Sequence, residues 1–246
     1  MSHSKVAIVT GASRGIGAEI AKSLAKKGVA VLVNYTSNTA AAKKVVNKIE
    51  EDGGKAISFQ ADVSDFEQVV NMFESAENAL GKVDILINNA GVMQPGIVKL
   101  ADTDERLFDD IVSINLKGTF NTLKVAANKL NEGGCIINLS TSVIGLALPG
   151  YSIYAATKSG VETMTRIFSK ELRGRNITVN SVAPGPTATE LFFNGKTEDQ
   201  VENMAKMAPL ERLGTPEDIA NTISFLIGSD AGWINGQNVR VNGGIV

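Results

Sequence analysis

The sequence predicts an α/β fold, a doubly wound parallel sheet of about seven strands with helices on both faces. Three observations carry that prediction. Short β-branched runs alternate with longer amphipathic stretches along the whole chain. The runs are apolar at successive positions, as in strands buried on both faces by helices. Glycine is abundant, 24 copies in 246 residues, as many tight turns and close backbone approaches require.

Residues 5–10 read as the first strand and 15–27 as a helix with Ile16, Ile20 and Leu24 on one face. Residues 30–35 are a strand, and 39–51 a helix that ends at Gly53-Gly54, a C-cap signal. A strand over 55–60 and a helix over 65–79 follow. The apolar strand 83–88 leads into one helix across 104–130. Residues 135–140 form the fifth strand, 151–173 a long helix and 177–183 the sixth strand. Helices over 198–207 and 216–227 precede a last strand over 238–242. No linker-like stretch interrupts this order, so residues 1–246 are expected to form a single domain. Ligands of such sheets bind beyond the carboxyl ends of the strands, where chemically useful residues should fall.

Composition narrows the function. Net charge is −2 with no dense Lys/Arg run, so neither nucleic acid nor an anionic membrane is an expected partner. Lys26-Lys27 and Lys43-Lys44 lie in helical patterns and read as solvated faces. The only histidine is His3, and a metal site needs several ligands, so no metal centre is expected. Cys135 is the single cysteine and reads as a buried strand thiol, in keeping with a reducing cytosol. Residues 1–5 lead straight into a strand pattern, with no charged-then-apolar leader and no run long enough to span a bilayer. A cytoplasmic protein is expected.

Between the first strand and its helix stands Thr10-Gly11-Ala12-Ser13-Arg14-Gly15-Ile16-Gly17. Gly11 permits a sharp turn, Gly15 lets backbone N–H groups approach a pyrophosphate, and Gly17 lets the helix pack closely on the strand. Tyr154 and Lys158, four apart in a helical pattern, share a face. A nearby ammonium favours the phenolate, so Tyr154 can give a proton to a carbonyl oxygen and take it back in reverse. Ser140, Thr141 and Ser142 follow the fifth strand, and any of their hydroxyls suits a donor to the substrate oxygen. Asn115 is a polar interruption in the apolar stretch 111–120; a hydrogen-bonded helix asparagine is the plain alternative. The second strand ends Val33-Asn34-Tyr35-Thr36-Ser37 without an acid. NAD enzymes often place a carboxylate there, which would repel the extra phosphate of NADP. Arg14 would pair with that phosphate and Ser37 would hydrogen-bond it. In 190–209, Leu191, Phe192, Phe193, Met204 and Met207 suit either an apolar cleft or core.

Together with Asn88-Asn89-Ala90-Gly91, Pro184-Gly185 and the tail Val241-Asn242-Gly243-Gly244, these motifs resemble the short-chain dehydrogenase/reductase family over nearly the whole chain. The resemblance implies a Rossmann fold and reduction of a ketone or 3-oxoacyl carbonyl to an alcohol with NADPH, ahead of NAD. Its catalytic set would be Asn115, Ser142, Tyr154 and Lys158. Ser142 is chosen because Ser142-Val143-Ile144-Gly145 best resembles the family's serine segment, and Asn115 would hold a water in a relay to Lys158. The cofactor would meet Gly11, Ser13, Arg14, Gly15, Ile16, Gly17 and Ser37. Asp62 would face the adenine amino group with Val63 beside the ring, and Asn89, Ala90 and Gly91 the adenosine ribose. Tyr154, Lys158, Pro184, Gly185 and Thr187 would surround the nicotinamide end, with Thr189 at the pyrophosphate. A homotetramer is implied, built on the helices 104–130 and 151–173 with Ala126, Ala127, Val161 and Phe168 on exposed faces. The chain is similar to 3-oxoacyl-acyl-carrier-protein reductases, but Asn131-Glu132-Gly133-Gly134 is not basic, leaving Arg173 and Arg175 as the charges for a carrier protein. The competing readings are a non-catalytic dinucleotide sensor or scaffold and an NAD-dependent alcohol dehydrogenase; a sensor has no need of the Tyr154–Lys158 pair.

Overall fold

The computed structural model describes residues 4–246; His3 and the start of the chain lie outside the described residues. Strand β1 (Val6–Val9) leads to helix α1 (Gly15–Lys26), β2 (Ala30–Tyr35) to α2 (Thr39–Glu51), and β3 (Ala56–Gln60) to α3 (Phe66–Ala79). After β4 (Ile85–Asn88) comes α4 (Glu105–Ile111), which passes through a π-helical segment, Val112–Lys117, into α5 (Gly118–Lys129). Then follow β5 (Cys135–Leu139), the short α6 (Val143–Leu146), the long α7 (Ser152–Glu171) and β6 (Thr178–Pro184). Helices α8 (Glu190–Phe193), α9 (Glu198–Met207) and α10 (Pro216–Leu226) precede β7 (Asn238–Val241).

The seven strands form one parallel sheet in the order β3-β2-β1-β4-β5-β6-β7. The order reverses between β1 and β4, and in such sheets that crevice is where ligands bind. Alternation along each strand feeds two cores. Ala7, Val9, Val31 and Val33 pack with the apolar stripes of α1 and α10 on one face. Ile8, Leu32, Leu86 and Ile136 pack with Phe73, Leu123 and Ala126 on the other. Several helix starts are fixed by side chains. Asp65 caps α3 by accepting from Glu67 N and Gln68 N at 3.0 and 3.2 Å. Thr197 with Gln200 and Thr215 with Asp218 form capping boxes on α9 and α10. Cys135 is buried in β5, and burial pushes its thiol up to about 11. Among the described residues no helix is long and apolar enough to cross a membrane.

Two expectations are corrected. The stretch 104–130 is not one α-helix: it widens into a π segment around Asn115, a distortion that often marks a functional position. The residues expected on exposed helix faces are mostly core. Ala126 and Val161 are fully buried, Ala127 is half-buried, and Phe168 packs partly into the second core. The exposed apolar side chains of these helices are instead Phe108, Phe120 and Ile167.

Candidate active site

A cleft runs along the carboxyl ends of the strands. Its first half lies over β1, β2 and β4. Thr10 Oγ1 accepts from the backbone N–H groups of Asn89 and Ala90, both at 3.0 Å. Asn89 returns two bonds from Nδ2, to the carbonyls of Thr10 and Gly11 at 2.9 and 3.0 Å. Gly11 turns at φ +61, and a Cβ on Gly17 would stand 2.4 Å from Asn89 Nδ2, so a side chain at 17 would displace this clamp. The close approach that Gly17 permits is therefore to Asn89 and the turn. Asn34 Oδ1 accepts from Gly11 N at 3.1 Å and its Nδ2 donates to Ala61 O at 3.0 Å, which ties the loop to the ends of β2 and β3.

This half is lined by Gly11, Ser13, Arg14, Gly15, Ile16 and Gly17, then Tyr35, Thr36 and Ser37, Asp62 and Val63, and Asn89, Ala90 and Gly91. The structure thus gathers the sequence-derived cofactor residues of the first four strands along one wall. Asp62 Oδ1 accepts from Ser64 N and Oγ, both at 2.8 Å, while Asp65 takes the helix-cap role. The end of β2 contributes no carboxylate. Arg14 Nη1 pairs with Glu190 Oε2 at 3.2 Å across the mouth, with both side chains exposed. Tyr35 is only 7% exposed and belongs to the first core.

The second half lies over β5 and β6. Lys158 is buried on α7 and donates from Nζ to the Leu139 carbonyl at 2.7 Å. Burial lowers its pKa to about 8. A Cβ on Gly91 would be 3.2 Å from Asn115 Oδ1 and 3.4 Å from Lys158 Nζ, so those two groups converge on one spot. Asn115 is fully buried. Its side chain accepts from Val92 N at 2.8 Å and donates to Val92 O at 2.9 Å, with a further bond to Thr157 Oγ1 at 3.3 Å. Its own carbonyl accepts from Thr119 Oγ1 at 2.8 Å. The widened helix turn brings this amide against the loop after β4.

The three hydroxyls after β5 separate by partner. Ser140 Oγ donates to Glu162 Oε1 at 2.6 Å. Ser142 Oγ donates to Ala183 O at 3.1 Å and accepts from Asn242 Nδ2 at 3.0 Å. Thr141 is the one whose hydroxyl acts on the Tyr154 phenol, favouring its ionised form. The sequence reading selected Ser142; the structure gives the contact with Tyr154 to its neighbour. The cause is local: Ser142 N donates to Pro184 O at 2.9 Å and the residue is the N-cap of α6, which turns its side chain toward β6. Thr141 is one residue farther from Tyr154 in sequence, and that spacing was the available signal. Burial raises the Tyr154 pKa, the Thr141 bond opposes this, and the nearby Tyr151 phenol adds to it. The net direction is opposite to the lowering expected from an ammonium on the same helix face.

Pro184, Gly185, Thr187 and Thr189 line the same region, with Thr189 also the N-cap of α8, accepting from Phe192 N at 3.2 Å. The outer wall is apolar: Met93, Leu146, Leu191, Phe192 and Met204. Of the five apolar residues flagged in 190–209, Phe193 and Met207 do not line it and are exposed. Sequence reasoning missed Tyr151 and Lys196, which do line it. The signal for Lys196 was a cation placed within an apolar covering segment.

Similarity to known proteins extends over the whole cleft. A family model described as Enoyl-(Acyl carrier protein) reductase matches residues 11–246. The chain is 47% identical over 250 residues to a short-chain type dehydrogenase/reductase of Picea abies, covering 98% of this chain and 92% of that protein. It is 46% identical to an NADPH-dependent aldehyde reductase-like protein, chloroplastic, of Arabidopsis thaliana, covering 98% and 94%. Its fold superposes on a short-chain dehydrogenase from Burkholderia cenocepacia, solved in complex with NADP. The TM-score is 0.92 at 34% identity, over 98% of this chain and 97% of that one.

Proposed function

The chain belongs to the short-chain dehydrogenase/reductase family, and from that premise we propose that it reduces an aldehyde, ketone or 3-oxoacyl carbonyl to an alcohol with NADPH. The observation that carries this reading is the state of Tyr154. It lines the cleft with a phenol whose pKa burial raises, so at neutral pH it holds the proton that a developing alkoxide needs. Beside it stand the Thr141 hydroxyl and, one helical turn on, the buried Lys158.

The cleft fits the dinucleotide on its own features. Its floor has no room for a Cβ at Gly17, and the end of β2 brings no carboxylate against an extra phosphate. Gly11, Ser13, Arg14, Gly15, Ile16, Gly17 and Ser37 would hold the phosphates and ribose. Asp62, Val63, Asn89, Ala90 and Gly91 would hold the adenosine, and Pro184, Gly185, Thr187 and Thr189 the nicotinamide end. When bound, the reduced nicotinamide supplies the hydride. Thr141 donates a hydrogen bond to the carbonyl oxygen, and Tyr154 passes its proton to that oxygen. Lys158 would restore the proton balance of Tyr154 and would reach the ribose of a bound dinucleotide. Asn115 positions the loop at Gly91 and Val92 beside Lys158 and supports the relay to it. Ser142 braces the wall through Ala183 and Asn242.

A small carbonyl compound suits the site better than a carrier-borne one. Arg175, one of the two candidate carrier contacts, is committed to Glu132 and to the carbonyls of Ala127 and Leu130. We further read residues 1–246 as one catalytic domain, assembled as a homotetramer through Phe108, Phe120 and Ile167, and working in the cytoplasm. The test is consumption of NADPH by the purified protein with a panel of aldehydes, ketones and a 3-oxoacyl thioester. Turnover of at least one is expected, and none with any would overturn the reading.

A further inference from the structure

Lys196 stands on the covering loop between α8 and α9. The loop is braced: Gly195 turns at φ +73 against Gly96, whose N would be 3.1 Å from a Cβ placed there. From that position Lys196 lines the same end of the cleft as Tyr154. Its Nζ is buried and has no hydrogen-bond partner or ion pair among the described residues. The Phe192 ring lies near it, 4.9 Å away at the centroid.

An ammonium taken out of water without an acceptor is unfavourable, and burial lowers the Lys196 pKa accordingly. Among the described residues the lining supplies no counter-charge. No Asp or Glu lines this end of the cleft, and the Glu190 carboxylate is turned to Arg14. The other cation present, Lys158, is bonded to the Leu139 carbonyl. Leu191, Phe192 and Met204 make the surrounding wall apolar, which strengthens any charge pair formed against it. A ligand that brings an anion would supply the missing partner.

We propose that Lys196 binds a carboxylate carried by the substrate, so that this enzyme prefers oxo acids over neutral aldehydes and ketones. The proposal rests on the carbonyl-reductase reading of the cleft, and assigns Lys196 as a residue that determines specificity. Lys196→Met keeps the apolar stem and removes the charge; Lys196→Arg restores it.

The experiment compares ω-oxo acids of increasing chain length with their methyl esters. Unmodified protein should favour the acid at one chain length by roughly tenfold or more in kcat/KM, carried by KM. Lys196→Met should bring the ratio close to one with KM for NADPH unchanged, and Lys196→Arg should recover most of it. No preference at any length, or a preference that survives in Lys196→Met, overturns the proposal. A raised KM for NADPH in Lys196→Met, alike for acid and ester, also overturns it by giving the residue to the cofactor. Should no carbonyl compound react, the reductase reading fails, and binding decides this inference separately. With NADPH present, straight-chain alkanoates should raise the melting temperature of the unmodified protein and not of Lys196→Met, while alkanamides do neither. An equal response of the two proteins rejects it.

Discussion

The Thr141 hydroxyl acts on the Tyr154 phenol and favours its ionised form, while the Ser142 hydroxyl is held by Ala183 and Asn242 at 3.1 and 3.0 Å. Thr141→Val keeps the shape of the side chain and removes the donor. It should lower kcat by about a hundredfold, the scale of losing one donor to a developing oxyanion. Ser142→Ala should lower kcat by roughly tenfold or less, since it loosens a wall and leaves the donor in place. The two kcat values with one ketone check this, and the reverse order would return the role to Ser142.

The pKa of Lys158 is lowered by burial from 10.5 to about 8. Between those values the unfolded chain binds the proton that the folded protein has shed, so this residue makes stability rise with pH in that window. Tyr154 acts the other way at higher pH. Its raised pKa keeps the folded form protonated where the unfolded phenol ionises, so stability is lost above its ordinary value of 10.0. Melting temperatures of the unliganded protein and of Lys158→Met are compared from about pH 7.5 to 9.5, and the unmodified protein should gain on the variant as pH rises. A difference independent of pH would show that Lys158 keeps its ordinary pKa.

Arg14 and Glu190 pair in the open at 3.2 Å, where NADP would compete for the arginine. Arg14→Ala should weaken NADPH binding by roughly tenfold to a hundredfold and leave NADH unchanged. Glu190→Gln should strengthen NADPH binding by about fivefold at most, the value of one exposed ion pair. Titration of both cofactors at fixed ionic strength reads both effects. Weaker NADPH binding in Glu190→Gln would mean that Glu190 supports the site. Tyr35→Asp, which the acid-free end of β2 invites as a switch toward NADH, would also place a carboxylate in the first core. It should cost about 1–3 kcal/mol of stability along with NADPH affinity.

Phe108, Phe120 and Ile167 leave apolar surface exposed on α4, α5 and α7. If these helices make the subunit contact, Phe120→Glu with Ile167→Glu should reduce a tetramer to smaller species while NADPH binding persists. Light scattering at micromolar concentration gives the mass of each, and a monomeric unmodified protein would end the tetramer reading.

Most of the fold was legible because strand burial leaves a plain trace. Runs such as Val6–Val9 and Ile85–Asn88 are apolar at every position or nearly so, and only a sheet covered on both faces accepts them. The cleft was legible for a related reason: Gly11, Gly17 and Asn89 are fixed by a turn and a backbone clamp that other residue types would break. Three features left a weaker trace or none. The π segment at Asn115 depends on a side chain reaching the distant Val92 backbone, and helical periodicity does not register that. The choice between Thr141 and Ser142 depends on which way the chain turns after β5, set by Pro184 and Ala183 on the neighbouring strand. Ala126 and Val161 look alike as interface or core residues, and only packing against the sheet separates the two.

Tyr154 is the proton donor of the proposed reduction, and Tyr154→Phe removes that proton while keeping the ring. In the variant, NADPH should bind with nearly unchanged affinity by fluorescence titration, while turnover of any carbonyl substrate the unmodified protein accepts should vanish. Full turnover in a correctly folded Tyr154→Phe protein would contradict the account.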